Sequence, residues 1–164
     1  MKTEMGEYIV GAYLKLELDC HFVDYNVRPL SGGLAGLSEL DVVGLNFTNK
    51  TAYICEVTTH IQGLLYGSGN KETIEKIRSK HQRQIDYANQ HLTDFPKKHF
   101  MFWSPVVPKG ILTKTLGEIE TLELVINETY TECVDTLRKR AKETTHDISN
   151  PFFRTLQILE HLRR

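Results

Sequence analysis

The sequence predicts an α/β fold, because segments with helical spacing of apolar residues alternate with short apolar segments typical of strands. In the helical segments, apolar residues recur three or four positions apart. The strand segments are short and rich in β-branched and aromatic residues. The resulting order is helix, three strands, helix, strand, connector, strand, helix and helix.

A first helix is predicted from about Glu4 to Cys20, and Glu7 lies in its first turns. Its apolar stripe consists of Ile9, Ala12, Tyr13, Leu16 and Cys20. The segment HFVDYNVRPL is predicted to be a strand that stops at Pro29, because proline cannot continue a sheet ladder. The glycine-rich SGGLAG that follows is predicted to be a loop. It has neither the Gly-Lys-Ser/Thr of a phosphate-binding loop nor the glycine spacing of a dinucleotide fingerprint.

Two carboxylates, Asp41 and Glu56, lie inside two apolar runs that a short polar turn joins. If Thr48 and Asn49 form a two-residue hairpin loop, the numbers of paired residues add up to 97, as 41 and 56 do. Asp41 and Glu56 then face each other on one side of the sheet. Repulsion and desolvation both disfavour that arrangement, so it predicts a compensating cation, most simply a divalent metal.

A loop placed one residue later would change this pairing. Asp41 would then lie opposite Thr58, and Glu56 would lie opposite Val43. The two carboxylates would still share one face of the sheet, but as diagonal neighbours. The sequence leaves both registers open.

The second half of the chain continues the alternation of helices and strands. A long helix is predicted after a polar linker at 63–70 and should end before Pro96. Its apolar stripe consists of Ile74, Ile77, His81, Ile85, Ala88 and Leu92. Next come a short buried strand in KHFMFWSPVVP, a strand in TLELVIN and a helix over about 129–144. A final helix is predicted to begin at Pro151, with Asn150 as its cap.

Length and composition favour a single soluble domain over residues 1–164, with 40% hydrophobic and 25% charged residues. The formal charge of -1 gives no global attraction for nucleic acid, so any phosphate binding would need a local basic surface. The three widely spaced cysteines favour reduced thiols over a disulfide framework. No apolar run approaches membrane-spanning length, and the amino terminus lacks the apolar core of a signal peptide. A cytoplasmic location without a membrane partner is the resulting expectation.

An acidic residue in the first helix, an Asp in the second strand and a Glu in the third resemble the PD-(D/E)xK nuclease superfamily. The matching pieces are GEYIVGAYLKLE, LDVVG and ICEVTT, and the resemblance covers roughly Glu4 to Trp103. It implies a restriction-endonuclease-like fold, with a mixed central sheet flanked by helices. It also implies metal-dependent hydrolysis of nucleic acid phosphodiester bonds, with DNA favoured over RNA. A homodimer is a further expectation, because many nucleases cut duplexes as dimers.

By this resemblance, Asp41 and Glu56 would bind Mg²⁺ or Mn²⁺ together with the main-chain carbonyl of Val57. Glu7 would complete or support the site. Carboxylate and carbonyl oxygens are the ligands that these hard cations prefer. Phosphodiester hydrolysis needs such a cation to polarise the phosphoryl oxygens and to lower the pKa of the attacking water.

The sequence departs from the family pattern at Thr58, where a lysine is usual beside the metal and the attacking water. Lys80 is the candidate to supply this cation from the long helix. Together with Gln84 and Tyr87 it forms a stripe that resembles the glutamine and tyrosine pattern of several branches of the superfamily. Thr58, Lys80 and Gln84 are therefore candidate catalytic positions beside Asp41 and Glu56. The alternative is a catalytically inactive module that keeps the fold for nucleic-acid binding or protein assembly.

Ordinary structural roles compete with the functional ones at several positions. Glu56 could instead be buried against an arginine such as Arg28. Lys80 could be a solvated helix lysine. Glu39 is expected to be solvated.

Overall fold

The computed structural model describes residues 2–29 and 39–162. The elements in chain order are α1 (Met5–Leu16), β1 (Phe22–Val27), β2 (Leu40–Asn46), β3 (Thr51–Val57), α2 (Asn70–His91), β4 (Lys97–Ser104), α3 (Ile111–Gly117), β5 (Leu122–Ile126), α4 (Asn127–Glu143) and α5 (Pro151–Leu162). The predicted α/β class is confirmed. The predicted connector between β4 and β5 is wrong in part, because it contains the short helix α3.

The five strands form one mixed sheet in the order β1-β2-β3-β4-β5. The pairs β1–β2 and β2–β3 are antiparallel, whereas β3–β4 and β4–β5 are parallel. The parallel pairs require crossover connections, and α2 and α3 provide them. The carboxyl ends of β3, β4 and β5 therefore lie at the same end of the sheet. Since β2 runs antiparallel to β3, its first residues lie there too.

Helices cover both faces of the sheet. On the first face, α1 and α4 pack over one apolar cluster. Its buried members are Val10, Leu14, Cys20, Val42, Cys55, Met101, Trp103, Val125, Tyr130 and Cys133. Trp103 is fully buried there, with its ring 5.4 Å from that of Tyr13 and 6.1 Å from that of Tyr130. The helix α5 packs outside this layer against α1 and α4.

The helices α2 and α3 cover the second face, where two separate apolar clusters lie. Ala88 and Leu92 of α2 belong to the cluster over β2 and β3. Ile77 of α2 belongs to the other cluster, together with residues of β4 and α3. The stretch of α2 between Ile77 and Ala88 carries polar side chains that point towards the sheet, and the candidate site lies there.

The hairpin that joins β2 to β3 has the first of the two registers that the sequence leaves open, since the residue numbers of every pair in its ladder add to 97. The predicted two-residue loop is wrong, because the ladder ends at Asn46 and Thr51 and leaves 47–50 as a four-residue turn. The side chain of Asn46 stabilises this turn. Its Oδ1 accepts hydrogen bonds from the main-chain N–H groups of Thr48 at 3.0 Å and Asn49 at 3.2 Å.

Two helix termini test the sequence prediction directly. The cap of α5 is confirmed, since Asn150 Oδ1 accepts a hydrogen bond from the main-chain N–H of Phe153 at 3.0 Å. The helix α1 is shorter than predicted, because it ends at Leu16. Cys20 lies beyond this end but is still buried in the core of the first face.

The three cysteines are buried and free. In the ranges 2–29 and 39–162, no helix is long and apolar enough to cross a membrane. The glycine-rich segment 31–36, predicted as a loop, lies outside the described residues.

Candidate active site

Asp41 and Glu56 lie at the end of the sheet where β3 finishes and β2 begins. They are the next positions on their strands after the last pair in the ladder, Val42 and Cys55, and they continue its register. Cys55 belongs to the cluster on the first face, so alternation along β3 points the side chain of Glu56 to the face that α2 covers. Glu56 is only 2% exposed, whereas Asp41 is half-buried.

The carboxylate of Asp41 is fixed against the neighbouring strand. Its Oδ2 accepts a hydrogen bond from the main-chain N–H of Val57 at 2.7 Å. This contact is charge-assisted, and it holds the Asp41 carboxylate beside Glu56. The structure therefore brings together the two acids that the sequence analysis selected.

Lys80 reaches the same place from α2. Its Nζ donates to Glu56 Oε2 at 2.5 Å, and the side chains of Lys80 and Glu56 are 17% and 2% exposed. The second oxygen of Glu56, Oε1, is buried and has no hydrogen-bond partner. An unpartnered buried carboxylate oxygen is costly, so this atom marks a position that a cation or a donor would stabilise.

Burial, and then the nearby charge of Asp41, raise the pKa of Glu56 to about 7, although Lys80 and Arg83 oppose this shift. Burial alone would lower the pKa of Lys80, but the charges of Glu56 and Asp41 more than offset this effect and raise it. Lys80 is therefore a cation at neutral pH. Glu56 carries a proton for much of the time when no metal is bound.

Glu7 lies in the first turn of α1 and is 8% exposed. Its Oε2 accepts hydrogen bonds from the main-chain N–H of Glu4 at 2.9 Å and from Nδ2 of Asn26 at 3.2 Å. Burial raises the pKa of Glu7, and the charge of Asp41 adds to this shift. Glu7 is thus both a capping residue of α1 and an electrostatic neighbour of Asp41.

The donor set suits a hard divalent cation. Within the described ranges, no group of three or more His, Cys, Asp or Glu side chains is arranged to hold a metal ion. Mg²⁺ usually binds through one or two carboxylates, and waters and substrate phosphates supply its other ligands. The Asp41 carboxylate and the free Oε1 of Glu56 meet that requirement.

Gln84 lies next to the site, but its side chain is bonded to the main chain of the sheet. It is fully buried, and its Nε2 donates to the carbonyls of Ile54 at 2.9 Å and Met101 at 3.0 Å. Its Oε1 lies 3.1 Å from Nδ1 of His81. These contacts attach α2 to β3 and β4 one turn after Lys80. Gln84 therefore holds the helix in place, whereas the sequence analysis named it as a candidate catalytic residue.

Thr58 is buried directly after β3, at the position where the family pattern has a lysine. Its hydroxyl donates to Ser104 Oγ at 2.8 Å, and its main-chain N–H donates to the carbonyl of Trp103 at 2.8 Å. These bonds extend the link between β3 and β4 beyond the ladder. Tyr87, the third member of the predicted stripe, packs instead against the apolar cluster over β2 and β3.

Two further residues lie near the carboxylates, Tyr66 and Arg83. The sequence predicts no role for Tyr66, whereas Arg83 belongs to the basic segment KIRSKHQRQ, for which a solvated face and a phosphate-binding surface are both open interpretations. The charges of Lys80, Glu56 and Asp41 all act on the phenol of Tyr66, and burial raises the pKa of Tyr66. Arg83, one turn beyond Lys80 on α2, adds positive charge near Glu56. The signal for Tyr66 was an apolar LLY inside a linker otherwise composed of polar residues and glycine.

One expectation from the sequence is wrong. The side chain of Glu39 is only 8% exposed, and its Oε1 lies 3.5 Å from Nε of Arg28, so Glu39 is not solvated. Arg28, considered as a partner for Glu56, pairs with Glu39 instead. The cation that contacts Glu56 is Lys80.

Comparison of the chain with protein-family models, with curated proteins and with solved structures finds no match. The functional interpretation therefore depends on the geometry of Asp41, Glu56 and Lys80.

Proposed function

We propose that this chain is a restriction-endonuclease-like domain that hydrolyses nucleic acid phosphodiester bonds with a divalent metal, with DNA as the expected substrate. The observation that carries the proposal is the pair of half-buried Asp41 and buried Glu56, with Lys80 on one oxygen of Glu56 and no partner on the other. A stable core does not need this arrangement, because buried like charges weaken a fold unless a cation compensates them.

Asp41 and Glu56 would hold Mg²⁺ or Mn²⁺, with the Val57 carbonyl as the further ligand that the family resemblance implies. When bound, the metal would polarise the phosphoryl group and lower the pKa of the attacking water. Metal binding requires ionised carboxylates, so Glu56 must first release its proton. Because its pKa is about 7, we expect metal affinity to fall below neutral pH.

Lys80 would supply the positive charge that the family pattern places at position 58. Its ammonium contacts Glu56, and its side chain remains partly exposed at 17%, so a phosphate could reach it from solvent. A fixed cation at this point would stabilise negative charge that develops on the phosphate. Arg83 brings a second positive charge to the same side of the helix.

A non-catalytic role is the second candidate function, and one observation favours it. At the position of the usual lysine, Thr58 has a buried hydroxyl that is engaged by Ser104. Such a domain would keep the carboxylate pair for metal or nucleic-acid binding without cleaving the strand.

A nuclease assay with Mg²⁺ and with Mn²⁺ tests the leading proposal on single-stranded DNA, duplex DNA and RNA. We expect Asp41→Asn and Glu56→Gln to lower turnover by at least about 100-fold, because each removes a ligand of the metal. Lys80→Met should lower turnover by a similar factor. Equal cleavage by wild type and by both carboxylate variants would reject this site.

Two matched controls separate the site from general effects of charge. Glu39→Gln neutralises a carboxylate on the chain just before β2, and Lys139→Ala removes an exposed lysine on the opposite layer. Both should keep full turnover. Mn²⁺ binding that depends on Asp41 and Glu56, without cleavage of any of the three substrates, would favour the non-catalytic role.

A further inference from the structure

Asn26 has an unusual backbone conformation for a residue inside a strand. Its φ of 52° lies in the left-handed region, which asparagine tolerates better than most other residues with a side chain. The flanking residues Tyr25 and Val27 pair normally with Val42 and Leu40 of β2. The register therefore makes Asp41 the cross-strand neighbour of Asn26, although the ladder is interrupted at this position.

The side chain of Asn26 points to the carboxylate at the start of α1. Its Nδ2 donates to Glu7 Oε2 at 3.2 Å and lies 3.5 Å from Thr3 Oγ1. The same oxygen of Glu7 also accepts the main-chain N–H of Glu4 at 2.9 Å. Two donors thus fix Glu7 Oε2, one from its own helix and one from β1.

Something must hold Glu7 in this place, because its environment opposes its charge. Glu7 is 8% exposed, and the negative charge of Asp41 acts on it. Without the amide of Asn26, repulsion and desolvation would favour rotation of the Glu7 carboxylate towards water. Such rotation would remove one negative charge from the side of Asp41.

We infer that Asn26 is a positioning residue of the cation site, which holds Glu7 beside Asp41 as an outer carboxylate. This inference rests on the proposed metal site at Asp41 and Glu56. Partners of this kind, which do not contact the metal but orient the groups around it, commonly change metal affinity by about 10- to 100-fold. The left-handed backbone of Asn26 is what turns its amide from the ladder towards Glu7.

Titration of the protein with Mn²⁺ by isothermal calorimetry tests this role. The informative variant is Asn26→Gly, because glycine keeps the left-handed backbone without strain and removes only the side chain. We expect Asn26→Gly and Glu7→Gln each to weaken Mn²⁺ binding by about tenfold. The double variant should be no weaker than Glu7→Gln alone, because Asn26 acts through Glu7.

Lys50→Gly is the matched control, since Lys50 also has a left-handed backbone, with φ of 55°, but lies in the turn at the other end of β2 and β3. Its Mn²⁺ affinity should equal that of wild type. Unchanged affinity in Asn26→Gly, with binding lost in Glu56→Gln, would overturn this inference alone. Independent, additive losses in the double variant would also overturn it. Wild-type protein that takes up no Mn²⁺ would overturn both this inference and the proposed function.

Discussion

The two faces of the sheet bury different kinds of side chain. The face under α1 and α4 is filled by one continuous apolar cluster that includes Leu14, Val42 and Trp103. On the face under α2 and α3, the apolar contacts are split into two clusters. Between them lies a polar group consisting of Glu56, Lys80, His81 and Gln84.

If the polar group is the proposed site, this difference places stability and function on opposite faces of one sheet. The first face is covered mainly by apolar side chains, and apolar burial is the main stabilising contribution in a domain of this size. On the second face, buried charged side chains replace part of the apolar packing, and such charges contribute little to stability even when they are paired. We therefore expect substitutions on the two faces to change different properties of the protein.

The largest effect on stability is expected on the apolar face. Leu14 is fully buried, so Leu14→Ala leaves a cavity in the core. We expect a loss of about 3 to 5 kcal/mol in the free energy of unfolding, measured by urea denaturation with circular dichroism. Mn²⁺ affinity should not change. Leu159→Ala, at a leucine of α5 that is 49% exposed, should have little effect on either property.

Breaking the ion pair on the polar face is expected to lower the free energy of unfolding by a smaller amount, and a second substitution should restore most of it. Lys80→Met leaves Glu56 buried without its cation, and we expect a destabilisation of about 3 kcal/mol. The double variant Lys80→Met with Glu56→Leu should recover most of this loss, because it replaces both charges by apolar groups. Urea denaturation measures both. The control is Lys109→Met, which breaks the exposed pair with Glu128 and should leave the midpoint of urea denaturation unchanged.

Recovery of stability in the double variant, together with complete loss of activity, would show that the polar group is retained for function. A double variant as unstable as Lys80→Met would contradict the comparison of the two faces. The ion pair would then be a structural requirement of the second face.

The smallest effect is a dependence of stability on pH. The folded protein keeps the Glu56 proton up to about pH 7, whereas the unfolded chain releases it near the ordinary pKa of 4.5. The stability that this group contributes is therefore complete below the unfolded pKa and is lost as the pH rises towards 7. The free energy of unfolding of Glu56→Gln, measured relative to that of wild type, should therefore rise by about 2 kcal/mol between pH 5 and pH 7.

This gain is measured by urea denaturation at several pH values in the presence of a chelator, so that no metal is bound. Leu14→Ala serves as the comparison from the other face, since its difference from wild type should stay constant over the same pH range. A constant difference for Glu56→Gln as well would mean that Glu56 is ionised in the folded protein throughout.

The sequence was sufficient for those parts of the fold and site that depend on local patterns. Asp41 and Glu56 belong to one hairpin, so an apolar pattern and a turn place them close together, and the observed register is the first of the two that the sequence leaves open. The turn itself was assigned wrongly, because the side chain of Asn46 supports a loop of four residues. The short helix α3 has only seven residues and lacks a long apolar period, so its sequence predicts a connector.

Features that depend on contacts between distant segments could not be predicted. Asn26 has its role because of a left-handed backbone and the proximity of α1, neither of which a strand pattern reveals. Glu39 was expected in water, but Arg28 covers it across the β1–β2 pair. Gln84 was correctly associated with Lys80 by helical spacing, yet only the structure shows that its amide is bonded to the carbonyls of two strands.

Trp103 gives the molecule an internal optical reporter, since it is the one tryptophan in the chain. Its indole is sealed from water and lies close to the rings of Tyr13 and Tyr130, which can transfer excitation energy to it. We expect blue-shifted fluorescence from the native protein and a red shift once α1 or α4 detaches. Because the indole is on the layer away from Glu56, its emission follows the integrity of the scaffold without any attached dye.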